Sequence, residues 1–120
     1  MDLLEVFNDS ADLIELKSRS VLFEEGSEAE FMYVIMNGEI GLSLHGKKIA
    51  TAGKGSIIGE MALLSSDPRS ATATAITDCQ LAPIDLHSFK LLIQHTPDFA
   101  LHIMKVLADR LRRANETIAE

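Results

Sequence analysis

Residues 59–73 read GEMALLSSDPRSATA, and this stretch combines a glycine, a carboxylate, a short apolar turn and an arginine. Gly59 allows the backbone to take φ values that other residues avoid, or to pass close to a ligand. The letters EMALL after it predict one short helical turn, whose first N–H groups have no partners within the turn. Such donors can hold a phosphate, and Arg69 adds a planar, permanently charged set of donors.

Glu60 does not fit a site for an anion alone. A carboxylate only accepts hydrogen bonds, which suits it to a ribose hydroxyl. The stretch therefore predicts a ligand that carries sugar and phosphate together, which is a nucleotide.

The sequence on both sides of this stretch is rich in β-forming residues. From Leu13 to Leu86, short runs are separated by glycine-bearing turns. The runs are SVLFEEG, FMYVIMNG, EIGLSLHG, KKIATAGKG, SATATAI and CQLAPID. Many short strands predict an antiparallel roll or barrel. We expect a type I′ hairpin at Asn37-Gly38 and a second tight turn at His45-Gly46.

Helical patterns flank the β-rich region. Residues 2–8 predict a short helix that buries Leu3, Leu4 and Phe7. After Leu86, a second short helix ends near Thr96, and a longer helix follows with Thr96 as its N-cap and Pro97 at its first position. Its predicted apolar stripe consists of Phe99, Ile103, Val106, Leu107, Leu111, Ala114 and Ile118.

The stretch GEMALLSSDPRSATA closely resembles the phosphate-binding cassette of cyclic nucleotide-binding domains, which occur in catabolite activator-type regulators, cyclic nucleotide-gated channels and protein kinase regulatory subunits. The family pattern is Gly-Glu-(Leu/Met)-Ala-Leu, a short loop and Pro-Arg-(Ala/Ser/Thr)-Ala, and all of it is present here. VLFEEGSEAEFMYVIMNGEIGLSL is similar to the family's leading strands, so the resemblance covers roughly residues 13–115. It implies a mainly β fold: an antiparallel β-roll (a double-stranded β-helix or jelly roll) with a short N-terminal helix and two C-terminal helices.

We expect one domain over residues 1–120. It would consist of a helical lead-in over 1–12, a β-roll over 13–86 and C-terminal helices over 87–120. The phosphate-binding cassette would occupy residues 59–72 of the β-roll.

The resemblance also implies a role for each site residue. Glu60 would accept a hydrogen bond from the ribose 2′-OH, and Arg69 would pair with the exocyclic oxygens of the cyclic phosphate. The remaining predicted contacts are the turn at Gly59, the backbone N–H groups of Met61 and Ala62, and Ser70 near the phosphate or base. In the family the final helix covers the base, which implies contacts there from Leu111, Ala114 and Asn115.

Composition argues against several other functions. With a formal net charge of −7, the surface disfavours binding to nucleic acid. The single cysteine, Cys79, cannot close an internal disulfide and suits a reducing compartment, so we expect a cytoplasmic protein. The N-terminal residues MDLLEVFNDSAD indicate neither a signal peptide nor a membrane segment. The four histidines lack metal-ligand spacing, and no nucleophile–base pattern predicts a catalytic residue.

The resemblance implies a non-enzymatic sensor that needs no cofactor. Its ligand would be cyclic AMP, with cyclic GMP as the other candidate. It would signal through its C-terminal helices to a second copy of the chain or to an effector protein. Two alternatives remain open: a degenerate β-roll that serves as an interaction or assembly module, and the sensory part of a transcription regulator whose DNA-binding module is absent from this chain.

Overall fold

The structure, a computed structural model, describes residues 2–7 and 12–119, with side chains described as far as residue 116. The described residues divide into two compact units, one within residues 2–86 and one within residues 87–119. The expectation of a single domain over residues 1–120 therefore stays a prediction, and each unit is described by itself.

The first unit contains most of the regular structure. Its elements are α1 (Leu3–Phe7), β1 (Ile14–Leu16), β2 (Val21–Phe23), β3 (Met32–Asn37), β4 (Ile40–Leu44), β5 (Lys47–Ala52), β6 (Ile57–Ile58), α2 (Glu60–Ser65), β7 (Thr72–Ala75) and β8 (Cys79–Ile84). The strands form two sheets, in the orders β1-β8-β3-β6 and β2-β7-β4-β5, and their pairings are antiparallel. The predicted mainly β fold is confirmed.

The core of this unit draws on both sheets. One cluster of buried core residues consists of Tyr33, Ile35, Ile40, Ile58, Ala73, Ala75, Cys79 and Leu81. Strand β3 is buried from Met32 to Met36 because its sequence MYVIM is continuously apolar, a pattern typical of a strand covered on both faces. Helices α1 and α2 both contact β3. The cassette is thus attached to the most deeply buried strand of the unit.

The turn at Asn37-Gly38 differs from the prediction. Strands β3 and β4 belong to different sheets, so the chain crosses between sheets here and forms no hairpin. Only Gly38 has a positive φ, of 92°, whereas a type I′ turn needs two such residues. A Cβ at Gly38 would lie 2.5 Å from the carbonyl oxygen of Asp78 and 2.7 Å from Sγ of Cys79. Position 38 therefore needs a glycine because two segments of the chain lie too close together for a side chain.

The second predicted turn forms as expected. Residues His45 and Gly46 have φ values of 52° and 81°, and Leu44 pairs with Lys47 across the β4–β5 hairpin. Two short strands were absent from the predicted runs: β1 with three residues and β6 with two.

The N-terminal helix buries less than its sequence predicts. Leu3 is buried, whereas Leu4 and Phe7 are only partly covered. The part of the lead-in at residues 8–11 lies outside the described residues.

The second unit contains helix α3 (Leu86–His95), apart from its first residue, and helix α4 (Pro97–Ala119). Helix α4 begins at Pro97, as predicted, and the rings of Phe89 and Phe99 pack edge to face with centroids 5.6 Å apart. The predicted stripe on α4 is buried at Phe99 and Ile103 but 64% exposed at Leu111, while the side chain of Ile118 lies outside the described residues. Among the described helices, none is long and apolar enough to span a membrane.

Candidate functional site

The cassette begins where β6 ends. Gly59 precedes α2 with φ 77° and ψ 9°, a left-handed conformation that glycine adopts without steric cost. A Cβ at this position would overlap Nη1 of Arg69 and lie 3.4 Å from Cε2 of Phe23. Both the backbone angle and the space therefore require glycine. The predicted short helical turn after it is confirmed as α2, which ends at Ser65.

Two charged side chains of the cassette are withdrawn from solvent. Glu60 is 2% exposed and Arg69 is 4% exposed, and no other charged side chain is buried in the described parts of the chain. Charged residues are almost never fully buried unless they are paired or bind something. These are the two residues for which the sequence analysis predicts contacts with the sugar and the phosphate, and those contacts stay a prediction.

The guanidinium of Arg69 is held by the backbone and by an aromatic ring. Its Nη1 donates a hydrogen bond to the carbonyl oxygen of Gly59 at 2.8 Å, and Nη2 donates to the carbonyl oxygen of Phe31. Its Cζ lies 4.0 Å from the centroid of the Phe23 ring, a cation–π geometry. The Nε–H donor is buried and has no hydrogen-bond acceptor. An orphaned charged donor at this depth is costly, and an anion would satisfy it.

The surroundings also change the pKa values of the site. Burial lowers the pKa of Arg69, while the nearby Tyr33 and Glu60 act in the opposite direction. Burial raises the pKa of the Tyr33 phenol; the charge on Arg69 lowers it in part and Glu30 raises it further. The Arg69 guanidinium still carries its charge at neutral pH, because an arginine pKa begins far above 7.

The loop between β2 and β3 fixes the backbone of the cassette. The N–H of Arg69 donates to the carbonyl oxygen of Ser27 at 2.8 Å, and the N–H of Gly26 donates to the carbonyl oxygen of Arg69 at 2.7 Å. The N–H of Glu25 donates to Oγ1 of Thr72 at 2.9 Å. These three bonds hold the backbone on both sides of the guanidinium, so Arg69 projects from a fixed frame.

The remaining predicted site residues are placed as follows. Met61 is 68% exposed and Ala62 is buried, and the role of their backbone N–H groups stays a prediction. Ser70 is exposed. Leu111, Ala114 and Asn115 are exposed on α4, in the other unit, and their contact with a base stays a prediction. Groups of three or more potential metal ligands are absent from the described residues.

Sequence reasoning missed the aromatic side chains around Arg69. The ring of Phe23 stacks with that of Tyr33 at 6.3 Å between centroids and 21° between planes, and Phe31 lies 6.1 Å from Tyr33 at 46°. The only signal was their position in the β-rich runs, where large apolar residues predict core packing. Nothing in the linear pattern brings Phe23 next to a residue 46 positions later.

Comparison with known proteins gives consistent results. A family model described as "Cyclic nucleotide-binding domain" matches residues 13–96. The chain is 33% identical over 104 residues to a lysophospholipase NTE1 of Chaetomium globosum, covering 82% of this chain and 7% of that protein. It is 32% identical over 88 residues to a cAMP-dependent protein kinase regulatory subunit of Eremothecium gossypii, covering 73% of this chain and 19% of that protein.

The fold also matches a solved structure. The catabolite activator protein of Thermus thermophilus superposes with a TM-score of 0.81 at 27% identity, covering 88% of this chain and 52% of the other. This chain therefore spans only a small part of the curated relatives above and about half of this structural relative.

Proposed function

The chain belongs to the cyclic nucleotide-binding domain family, and we propose that it is a non-enzymatic sensor that binds cyclic AMP, with cyclic GMP as a weaker ligand. Arg69 pairs with the exocyclic oxygens of the cyclic phosphate, and Glu60 accepts a hydrogen bond from the ribose 2′-OH. The backbone N–H groups of Met61 and Ala62 add donors to the phosphate, and Ser70 approaches the phosphate or the base. The free, buried thiol of Cys79 is consistent with a cytoplasmic location.

The observation that carries this proposal is the joint burial of Glu60 and Arg69, with one Arg69 donor left without an acceptor. Burying charges costs free energy, so a structural module would do better with apolar residues at both positions. A site that binds a sugar and a phosphate uses both charges. The burial thus favours a binding site over a degenerate β-roll. The preference for cyclic AMP rests on the similarity of this chain to the regulatory subunit of a cAMP-dependent protein kinase.

The proposed output runs through α4. Residues Leu111, Ala114 and Asn115 cover the base when the ligand is bound. Ligand binding therefore changes the position of α4, the helix that a partner contacts. A second copy of the chain is the proposed partner. Leu101 and Met104 are 61% and 58% exposed, and together with exposed Ala108 they repeat at the 3-4 spacing of a coiled-coil seam.

The partner proposal has its own test. Size-exclusion chromatography with light scattering should give a dimer mass for the wild type and a monomer mass for Met104→Glu. A monomeric wild type, with and without cyclic AMP, would exclude the seam but not the ligand site.

The ligand proposal is tested by thermal unfolding in the presence of nucleotides. Ligand at 100 times its Kd should stabilise the folded chain by about 2.7 kcal/mol, which raises the melting temperature by about 10 °C. We expect this rise with cyclic AMP, a smaller one with cyclic GMP, and none with adenosine 5′-monophosphate, which lacks the cyclic phosphate. An unchanged melting temperature with millimolar amounts of both cyclic nucleotides would favour the assembly module instead.

A further inference from the structure

We infer that Phe23 is a positioning residue for Arg69: its ring fixes the plane of the guanidinium so that one edge of that group, the edge carrying Nε–H, is turned to the phosphate. This inference rests on the proposed function and adds a residue outside the phosphate-binding cassette to its site.

The ring is itself held in place. Phe23 ends strand β2, which pairs with β7, the strand that follows Arg69 in the chain. On one side its ring stacks with the buried Tyr33 at an interplanar angle of 21°. Gly59 borders it as well, since a Cβ there would lie 3.4 Å from Cε2 of Phe23. A rigid ring is a better platform for a cation than a side chain that is free to rotate.

The contacts of Arg69 leave few orientations for its guanidinium. This group has five N–H donors in one plane. Two of its nitrogens donate to the carbonyl oxygens of Gly59 and Phe31, and the Phe23 ring covers one face. The Nε–H has no acceptor in the structure. If the ring were removed, the guanidinium could tilt into the space, and its free edge would no longer point in a single direction.

Phe31 provides a matched control within the same aromatic group. Its ring is tilted at 46° against Tyr33, and its carbonyl oxygen, rather than its ring, holds Arg69. Phe31→Leu therefore removes an aromatic ring of equal size and keeps the hydrogen bond to Nη2. Phe23→Leu removes the ring that lies against the guanidinium. Phe23→Tyr keeps an aromatic face and serves as the conservative variant.

The test uses the two phosphorothioate diastereomers of cyclic AMP, in which sulfur replaces one or the other exocyclic oxygen. Sulfur accepts hydrogen bonds poorly, so a guanidinium held in one plane should discriminate between them. Calorimetry gives the Kd of cyclic AMP and of each diastereomer for the wild type and for the three variants. Thermal unfolding of each variant verifies that it is folded.

We expect Phe23→Leu to weaken cyclic AMP binding by no more than about 30-fold, the full size of a cation–π contact, because the ring already contacts Arg69 before the ligand binds. The ratio of the two diastereomer affinities should come close to one. Phe31→Leu and Phe23→Tyr should keep the wild-type ratio. In an Arg69→Lys background, Phe23→Leu should have little effect, because a lysine ammonium has no plane to fix.

The inference is overturned if wild type binds cyclic AMP but shows no preference between diastereomers, or if Phe23→Leu keeps the wild-type ratio. It is also overturned if Phe31→Leu changes the ratio as much as Phe23→Leu does. A wild type that binds no cyclic nucleotide would instead overturn the proposed function, and this inference with it.

Discussion

Replacing Gly59 by alanine should damage both the fold and the site, and the structure separates the two contributions. The first is the backbone conformation, because a residue with a Cβ at φ 77° costs about 1–2 kcal/mol. The second is the collision of the new Cβ with Nη1 of Arg69, which has to move and give up its hydrogen bond to the carbonyl oxygen of Gly59. A hydrogen bond to a charged group contributes about 1.5–3 kcal/mol.

Gly46→Ala is the matched control for the first contribution. Gly46 has φ 81°, and a Cβ there would meet nothing within 4 Å. Both variants should therefore lose the backbone contribution, and Gly59→Ala should lose about 1.5–3 kcal/mol more. With about 4 °C per kcal/mol for a domain of this size, the additional drop in melting temperature is about 6–12 °C.

Circular dichroism during heating measures this difference, and calorimetry with cyclic AMP measures the effect on the site. Gly59→Ala should also bind cyclic AMP more weakly than Gly46→Ala, because the displaced guanidinium no longer faces the phosphate. In an Arg69→Ala background, Gly59→Ala should lose no more stability than Gly46→Ala does. Equal melting temperatures and equal affinities for the two alanine variants would refute the reasoning.

Three further predictions concern the sugar, the C-terminal helix and the pH dependence of stability. Wild type should bind 2′-deoxy cyclic AMP more weakly than cyclic AMP, and Glu60→Ala should remove this difference, whereas additive losses would show that the two groups do not meet. Deleting the residues after Arg110 should weaken binding yet keep the requirement for Arg69, and ligand should slow amide exchange at residues 106–118 of the intact chain; equal exchange with and without ligand would contradict a covering helix. Burial raises the pKa of the Tyr33 phenol, so the stability that the neutral phenol contributes is complete below about pH 10 and is lost as pH rises through the folded-state pKa. In urea unfolding above pH 10, Tyr33→Phe should therefore lose less stability than the wild type.

The sequence was most informative where the structural signal is local. A run such as MYVIMN is long and apolar enough to predict β3, and Pro97 correctly marked the start of α4. The glycine, the glutamate and the arginine of the cassette lie within eleven residues, so a single local stretch carries the resemblance to the family, while the contacts of these residues with a ligand stay a prediction.

Contacts between distant segments could not be predicted in this way. Asn37-Gly38 has the composition of a hairpin turn, but the pairing of β3 with β8 and of β4 with β7 places these strands in separate sheets. The stacking of Phe23 on Arg69 likewise depends on the β2–β7 pairing. Tertiary pairing decides both features, and a local pattern carries no information about it.

The measurement that tests the central claim most directly is a calorimetric titration of cyclic AMP into the wild type, Arg69→Ala and Lys48→Ala. Lys48 is exposed on β5, so its loss removes one positive charge without touching the cassette. We expect saturable binding to the wild type and to Lys48→Ala with similar Kd values. Arg69→Ala should bind more weakly by about 30-fold to several thousand-fold, because losing one partner of a desolvated charge pair costs about 2–5 kcal/mol. Equal Kd values for the wild type and Arg69→Ala, with all three proteins folded, would contradict the assignment of Arg69 to the phosphate.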